Sequence, residues 1–447
     1  MCYYKKREVA MSFRQLGHFD VIVMGAGSAG ATAAIAAART GSNVLVIDRL
    51  PFAGGTSTAV LDTFYGFYTP GEKAKKIVGG IPDDVVAGLS GYGSMIERPN
   101  TYGAGTGVTY NPEHLKVVWE SLLQESGAKI LLHALLQEVT VKDGHVRELV
   151  LATRAGSCRV TADFFIDATG DADLSHFAGF SYEKAGDIAP AQTLTTTFKM
   201  VNVNAAERKK IDKNRLHELM QEATEAGYEL PRREGSDHIT PVANTTATVM
   251  TRLDSVRKNA NGELESVLDD PFFLTESEIA GRAQATEYAR FLVDKVPGYE
   301  NSSLYGFSTL IGVRETRRVY GDYRVEKEDV LQARQFDDQV ALCGAPIEDH
   351  HSGDGTNWVY LPEGSAVGIP LRSLIVKDSI NTMVIGRCFS ATHDAHASIR
   401  SMAQCMAMGV AAGVSASLVI RDKEDVRSIK FSKIRDGLSK TGAVLEI

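Results

Sequence analysis

Cysteine is scarce in this chain of 447 residues, which has five cysteines and no C-x-x-C pair. Their odd number and wide spacing predict reduced, mostly buried thiols rather than a disulfide framework. The histidines supply no metal-ligand pattern either, because His393 and His396 lack a nearby cysteine or third histidine. We therefore expect no metal site.

The chain also lacks a basic run, and its formal net charge of −8 argues against a nucleic-acid partner. Two uncharged stretches, residues 21–38 and 401–420, are long enough to test as membrane spans. The first contains a glycine turn, and the second is rich in small residues and contains Gln404, which is typical of a buried helix. No apolar core of signal-peptide length lies in the first 17 residues. We expect a cytoplasmic protein with no membrane span.

What the sequence does contain is a glycine fingerprint between a predicted strand and a predicted helix. The apolar residues 21–24 are followed by Gly25-Ala-Gly-Ser-Ala-Gly30 and then by an alanine-rich helical segment. In this GxGxxG pattern Gly25 permits the turn, Gly27 lets a pyrophosphate approach the backbone, and Gly30 lets the helix pack on the strand. Free N–H groups at the helix N-terminus attract the phosphate charge.

The fingerprint alone also fits a glycine-rich turn in some other α/β protein. A second predicted strand at residues 44–47 ends in Asp48, where a carboxylate accepts the ribose hydroxyls of an adenine dinucleotide and disfavours a 2′-phosphate. The strand before, the helix after and the acid together predict a dinucleotide site.

The chain is longer than one hydrophobic core usually supports, and its predicted elements indicate an α/β protein with two domains. We place a Rossmann-like nucleotide-binding domain, with a central parallel sheet and an antiparallel meander, at residues 18–186 and 372–425. An inserted α+β substrate domain covers residues 187–371. Residues 1–17 and 426–447 are terminal extensions.

Two local patterns set element boundaries. Residues 158–161 are predicted as the last strand of the meander, and residues 164–167 as a separate buried strand. Thr275 and Glu278 form a predicted capping box that starts a helix over residues 276–296.

A flavin explains more of the sequence than a nicotinamide does. A nicotinamide dehydrogenase has no need of a further strand that runs into Asp171, or of a C-terminal return to the nucleotide domain near residues 382–387. A loop then leads to Arg400, and the long helix that begins near Ser398 offers N–H groups to the pyrimidine edge of a reduced flavin.

Motifs throughout residues 18–420 resemble the FAD-dependent oxidoreductase family, which has a glutathione-reductase-type fold and is distantly related to fumarate reductase flavoproteins. The resemblance implies that the nucleotide domain is an FAD-binding domain and that the chain is a redox enzyme, without naming its substrate. The motifs are Gly25–Gly30, Asp48, Gly54-Gly55, Tyr110-Asn-Pro-Glu113, Ile166-Asp-Ala-Thr-Gly-Asp171, Pro297-Gly-Tyr-Glu300, Gly312-Val-Arg-Glu-Thr-Arg-Arg318, Pro346-Ile-Glu-Asp-His350, Ile369-Pro-Leu-Arg-Ser-Leu374 and Ile385-Gly-Arg-Cys388 through Arg400.

The predicted cofactor site combines the glycine turns, the strand ends and the head of the C-terminal helix. Its residues are Gly25, Gly27, Ser28, Ala29, Gly30, Asp48, Arg49, Gly54, Gly55, Thr56, Ser57, Leu136, Ala168, Thr169, Gly170, Asp171, Gly386, Arg387, Ser398, Ile399 and Arg400.

Three residues are predicted to be catalytic. Arg314 carries a guanidinium fork that binds carboxylates, whereas Arg317 and Arg318 fit an internal salt-bridge network better. His396 and His350 can exchange protons near neutral pH, although a structural histidine is the usual alternative.

We expect hydride transfer between a small polar metabolite and the flavin. A flavin monooxygenase and a non-catalytic redox sensor or scaffold are the alternatives. The electron partner stays open among oxygen, a quinone, another protein and NAD(P)H, as does the formation of a homo-oligomer.

Overall fold

A computed structural model of the chain describes residues 13–72, 74–99, 105–351 and 355–447. The strands in these ranges are β1 (Arg14–Met24), β2 (Val44–Ile47), β3 (Thr63–Phe64), β4 (Met95–Pro99), β5 (Thr106–Tyr110), β6 (Lys129–Leu131), β7 (Leu135–Lys142), β8 (His145–Thr153), β9 (Gly156–Asp167), β10 (Tyr182–Lys184), β11 (Phe198–Val201), β12 (Ser236–Ile239), β13 (Thr245–Val249), β14 (Val256–Lys258), β15 (Leu264–Ser266), β16 (Ser303–Phe307), β17 (Arg317–Val319), β18 (Gln339–Cys343), β19 (Ile347–Asp349), β20 (Asn357–Val359), β21 (Val367–Pro370) and β22 (Thr382–Val384).

The α-helices in the same ranges are α1 (Ser28–Arg39), α2 (Thr56–Ala59), α3 (Ile81–Gly91), α4 (Pro112–Ser126), α5 (Asp173–Phe177), α6 (Ala205–Arg208), α7 (Lys213–Glu225), α8 (Pro271–Lys295), α9 (Lys327–Leu331), α10 (His393–Ile399), α11 (Met402–Asp422) and α12 (Phe431–Lys440). Short 3₁₀ turns cover Leu371–Ser373 and Gly386–Cys388.

The central sheet has the predicted architecture, with a parallel part and an antiparallel meander. Its order is β6-β2-β1-β9-β8-β7, and β22 pairs with the end of β9. The strands β6, β2, β1, β9 and β22 run parallel, whereas β7, β8 and β9 form the meander. Parallel strands bring their carboxyl ends to one edge of a sheet, where open α/β proteins bind their ligands. The loops after β1, β2, β9 and β22 therefore meet there.

The third strand of the meander and the following buried strand are one element, so the prediction of two strands at 158–161 and 164–167 is wrong. β9 is continuous because no turn residue separates the two halves. Its first half pairs with β8, and its last residues pair with β22. One strand thus joins the meander to the parallel sheet.

The helices α1 and α11 pack against each other on one face of this sheet at close range. A Cβ atom placed on Gly409 would lie 2.2 Å from the carbonyl oxygen of Ala29, and one on Gly413 would lie 2.2 Å from that of Ala33. In the part of the chain that the structure describes, α11 is the one helix long and apolar enough to span a membrane, and 89% of its most apolar window is buried. It is a core helix here.

A second sheet and core lie in the middle of the chain. The sheet has the order β12-β13-β11-β16, and its buried residues join those of α7 and α8 in a separate hydrophobic cluster. The predicted capping box is wrong, because α8 begins five residues earlier. Asp270 is the N-cap and accepts a hydrogen bond from the N–H of Phe272, while the Thr275 hydroxyl bonds the carbonyl of Pro271 inside the helix.

The fold class is confirmed as α/β with additional antiparallel sheets. The domain boundaries stay a prediction. The packing favours a return to the first core before residue 372, because Val340, Leu342 and Val367 are buried in the same cluster as α1 and α11. Ile434 of α12 is buried there too.

The cysteines that the structure describes are arranged as the sequence indicates. Cys158, Cys343, Cys388 and Cys405 are free and buried, and Cys2 lies outside the described residues. Within the described ranges, no group of three or more His, Cys, Asp or Glu side chains is placed to hold a metal ion.

Candidate active site

A large cavity opens at the carboxyl edge of the parallel sheet, with about 1600 Å³ of empty space including its mouth. It extends from the glycine turn after β1 to a group of charged side chains beside β19. The predicted site residues that line it are Gly25, Gly27, Ser28, Ala29, Asp48, Arg49, Gly55, Thr56, Ala168, Thr169, Gly170, Asp171, Arg314, Gly386, Arg387 and Arg400.

The three glycines of the fingerprint have different surroundings. Gly25 has a φ angle of +100°, and a Cβ atom there would lie 2.3 Å from the carbonyl oxygen of Ala168. A Cβ atom on Gly30 would lie 1.8 Å from the carbonyl oxygen of Gly25, whereas one on Gly27 would meet nothing nearer than the Gly55 Cα atom at 3.9 Å. Gly25 and Gly30 are therefore needed for the turn, and Gly27 leaves space in the cavity.

The start of α1 offers unsatisfied donors at this place. Gly27 is the N-cap of the helix and provides no side-chain cap, so the first N–H groups remain open. The Ser28 hydroxyl oxygen is buried and has no hydrogen-bond partner among the described residues. A pyrophosphate supplies acceptors for both kinds of donor, so these residues fit a dinucleotide.

Asp48 is held at the cavity wall by main-chain N–H groups. Its Oδ2 atom accepts a hydrogen bond of 2.6 Å from Ala26, and its Oδ1 atom accepts one of 2.8 Å from Leu50. Burial raises the pKa of the Asp48 carboxyl, and these two hydrogen bonds oppose that rise. Each oxygen keeps a further lone pair that a ribose hydroxyl can use.

An ion pair joins the loops after β9 and β22. The Nη2 atom of Arg387 lies 2.7 Å from Oδ1 of Asp171, and its Nη1 atom donates to the Thr316 hydroxyl at 3.2 Å. Burial disfavours the charged form of Asp171, but the charge of Arg387 outweighs it and lowers the pKa of that carboxyl. The two loops are thereby fixed relative to each other.

Four predicted cofactor residues support the cavity without lining it. Gly30 packs beneath the turn, and the N–H of Gly54 donates to the carbonyl of Ala26 at 2.8 Å. The Ser57 hydroxyl donates to the carbonyl of Gly54 at 2.7 Å. Leu136 is buried in the core on the meander side of the sheet.

The prediction that the long helix begins near Ser398 is wrong. The short helix α10 ends at Ile399, and α11 begins at Met402 with the extended residue Ser401 as its N-cap. Ser398 donates its hydroxyl to the Ala345 carbonyl at 2.6 Å, and Ile399 is fully buried, so neither lines the cavity. Ser401 and Met402 do line it, at the start of the uncharged stretch 401–420 that the sequence indicates as a buried helix.

His396 is fully buried and does not line the cavity. Burial, with the positive charges of Arg400 and Arg318, lowers its pKa well below the usual value. The neutral ring donates from Nε2 to the Arg387 carbonyl at 2.7 Å. This contact links α10 to the β22 loop, and a catalytic role for His396 stays a prediction.

Arg314 lines the cavity and is anchored by one nitrogen. Its Nη1 atom donates to the carbonyl of Thr193 at 2.8 Å and to the hydroxyl of Thr195 at 2.7 Å. Arg400 is held in a similar way, because its Nη2 atom donates to Oε1 of Gln192 at 3.1 Å and to the Glu348 carbonyl at 3.3 Å.

Glu348 also lines the cavity, and it is a carboxylate to which no sequence pattern assigns a role. Its side chain is 38% exposed, and this surface faces the cavity. Burial opposes ionisation, but the hydrogen bond from His350 and the charges of Arg400 and Arg314 outweigh it and lower the pKa of Glu348. The carboxylate is ionised at neutral pH.

His350 acts on the cavity through Glu348, since it does not line the cavity itself. Burial and the charge of Arg314 lower its pKa to about 3. The neutral ring therefore donates from Nε2 to Oε1 of Glu348 at 2.7 Å and accepts at Nδ1 from the Thr356 hydroxyl at 3.0 Å.

The interpretation of Arg317 and Arg318 as internal ion pairs is confirmed. Arg317 lies 3.2 Å from a carboxylate oxygen of Asp173, and Arg318 pairs with Glu315 and Glu183 in the protein interior.

The fold and the cavity define an α/β protein that binds a dinucleotide at the carboxyl edge of its sheet. The family model for FAD dependent oxidoreductases matches residues 20–438. The chain therefore belongs to the FAD dependent oxidoreductase family and is an FAD-dependent oxidoreductase. A comparison with curated proteins finds no match.

Solved structures share the fold at low sequence identity. The flavin-dependent brominase Bmp2 is 12% identical, with a TM-score of 0.51 over 94% of this chain and 84% of that one. A geranylgeranyl bacteriochlorophyll reductase-like protein from Thermoplasma acidophilum is 13% identical, with a TM-score of 0.43 over 95% of this chain and 82% of the other. The similarity to the brominase indicates a common fold alone.

Proposed function

We propose that this protein transfers a hydride between a small polar metabolite and FAD. The observation that carries the proposal is the extent of one cavity. It runs from the glycine turn at Gly27 and Ser28 to an ionised carboxylate, Glu348, with Arg314 and Arg400 beside it. When bound, FAD supplies a two-electron acceptor or donor for carbon.

Oxidation of a hydroxyl-bearing or amino-bearing carbon breaks a C–H bond and also releases a proton from the oxygen or nitrogen. The two electrons and the hydrogen leave together toward the cofactor, and the proton needs an acceptor on the protein. Glu348 is suited to this role because its Oε2 atom has no hydrogen-bond partner among the described residues, while His350 holds its Oε1 atom.

The test is anaerobic mixing of the oxidised, FAD-loaded protein with a panel of polar metabolites while flavin absorbance is followed. We expect at least one metabolite to bleach the flavin. Glu348→Gln should keep FAD and slow bleaching by about 100-fold or more, the usual contribution of a proton-transfer group.

Other outcomes would favour the alternatives. A hydroxylated product from reduced protein and oxygen would indicate a monooxygenase. No bleaching by any metabolite, together with a stable protein partner, would indicate a redox sensor or scaffold. The polar substrate, the electron partner, the cytoplasmic location and any homo-oligomer remain predictions.

A further inference from the structure

We infer that the metabolite is a carboxylic acid whose carboxylate binds Arg314 on the side of the cavity shared with Arg400. This inference rests on the proposed function and names its substrate class. It depends on the free edge of one guanidinium, on the unpaired charge around it and on buried donors that lack acceptors.

Arg314 presents an open edge to the cavity. Its Nη1 atom is occupied by Thr193 and Thr195, but its Nε and Nη2 atoms have no hydrogen-bond partner among the described residues. These two nitrogens carry parallel N–H groups, which match the two oxygens of a carboxylate. The anchored Nη1 atom fixes the plane in which such a ligand would lie.

Arg400 is oriented toward the same space by Gln192. The Oε1 atom of Gln192 accepts from Arg400 at 3.1 Å and from the N–H of His350 at 3.2 Å. The Nε atoms of Arg400 and of the buried Arg232 have no partner within the ranges described, and neither does the Nε2 atom of Gln192. A buried donor without a hydrogen-bond partner lowers the stability of the folded protein unless a ligand or water supplies an acceptor.

The positive charges at this end of the cavity exceed the negative ones. Neither Arg314 nor Arg400 has a carboxylate within ion-pair distance in the described part of the chain, and the negative charge of Glu348 acts on both. Burial, followed by the charges of Arg400 and Arg232, lowers the pKa of Arg314 well below its usual value. An added anion relieves this repulsion.

A carboxylate fits the open edge of Arg314, because its two coplanar oxygens match two parallel N–H groups. A phosphate monoester, which carries about −1.5 to −2 at pH 7, is the alternative anion, and the titration distinguishes the two. A carboxylate next to an oxidisable carbon also allows the acid to be anchored at Arg314 while Glu348 receives the proton.

The experiment is a titration of the oxidised, FAD-loaded protein with succinate, succinamide and inorganic phosphate, with flavin absorbance and calorimetry as readouts. We expect succinate to bind at least about tenfold more tightly than succinamide, which has the same length and no charge. Arg314→Gln should weaken succinate binding by about 10-fold to 100-fold and leave succinamide unaffected, because charged hydrogen bonds are worth about 1.5–3 kcal/mol.

Arg372→Gln is the matched control, since Arg372 pairs with Asp338 at the surface, 2.9 Å away, and lies outside the cavity lining. It should bind succinate as the unaltered protein does. Arg314→Lys tests folding and geometry together, because it keeps the positive charge but not the two parallel N–H groups. This variant should retain FAD and bind succinate weakly.

Equal affinity for succinate and succinamide, or an unchanged succinate affinity in Arg314→Gln, would overturn the inference. Tighter binding of phosphate than of succinate would also overturn it, and would indicate a phosphate as the ligand class. The proposed function fails separately. If only uncharged metabolites bleach the flavin, the proposed hydride transfer stands and the inferred carboxylic acid substrate is wrong. If succinate binds but no metabolite, charged or neutral, bleaches the flavin, the proposed hydride transfer is wrong.

Discussion

The two ends of the cavity are built in different ways. The nucleotide end, at Gly25–Gly30, consists of main-chain N–H groups and of glycines that leave room for a ligand. The charged end consists of the side chains of Arg314, Glu348 and Arg400, which come from three distant segments. Main-chain N–H groups bind a cofactor that many proteins share, whereas side chains distinguish one substrate from another.

The difference also sets how each end responds to change. A larger side chain at the nucleotide end would fill the space that its glycines leave, and its main-chain N–H groups do not titrate. The charged end depends on which of its groups carry charge. Four variants separate these behaviours, in order of decreasing expected effect.

Gly27→Val should abolish FAD binding, with a loss of about 1000-fold or more in affinity, because the added side chain fills the space for the pyrophosphate. Folding should survive, since a Cβ atom at Gly27 meets no atom closer than 3.9 Å. Fluorescence titration with FAD and circular dichroism of the cofactor-free protein measure the two effects. Gly306→Val is the control, because a Cβ atom there has nothing within 4 Å; normal FAD affinity in Gly27→Val would refute the assignment.

Gly409→Ala should destabilise the protein by about 3 kcal/mol, because its Cβ atom would lie 2.2 Å from the carbonyl oxygen of Ala29. Since Ala29 lines the cavity, FAD affinity should fall as well. Gly91→Ala, at the end of α3 with open space around it, should be neutral or slightly stabilising. Chemical denaturation compares the two, and equal stability would contradict the close packing of α1 and α11.

His350→Gln should reduce the loss of stability in acid. The pKa of His350 is about 3 in the folded protein against 6.5 for the free side chain, so the unfolded chain binds a proton that the folded protein does not. Stability therefore falls as pH drops below 6.5, by about 2 kcal/mol at pH 5 for this group. Denaturation at pH 6.5 and 5 should show a smaller difference in the variant, and an unchanged difference would contradict the neutral, buried histidine.

Arg400→Ala should lower the reduction potential of the flavin by about 30 mV, which for two electrons corresponds to about 1.4 kcal/mol. Positive charge beside the cavity stabilises the reduced, more negative cofactor, and this substitution removes that charge. Arg400→Lys should keep most of the potential. A potential unchanged in a folded Arg400→Ala variant would show that Arg400 acts only on structure.

The nucleotide end could be predicted from the sequence because its determinants are local. The turn from Gly25 to Gly30 and the acid at 48 lie within 24 residues, and the same strand–turn–helix geometry dictates them. The start of α11 is less well determined by the sequence, because Ser398 and Ser401 are both of a residue type that caps helices, and the structure begins α11 after Ser401.

The charged end could be predicted only in part, because it is assembled by tertiary contacts. The chemistry of Arg314 is evident from the sequence, but Glu348 and Gln192 face arginines that lie more than 30 residues away in the chain. No local pattern distinguishes Glu348 from a surface acid. The position of His396 in the sequence predicts a catalytic role, whereas its burial is evident only from the fold.

The most direct test of the single cavity with two ends is the diffraction structure of crystals grown with FAD and succinate. The account predicts the pyrophosphate beside Gly27 and Ser28, and a succinate carboxylate on the open edge of Arg314. Density for FAD outside this cavity, or a succinate that leaves Arg314 without a ligand, would contradict it.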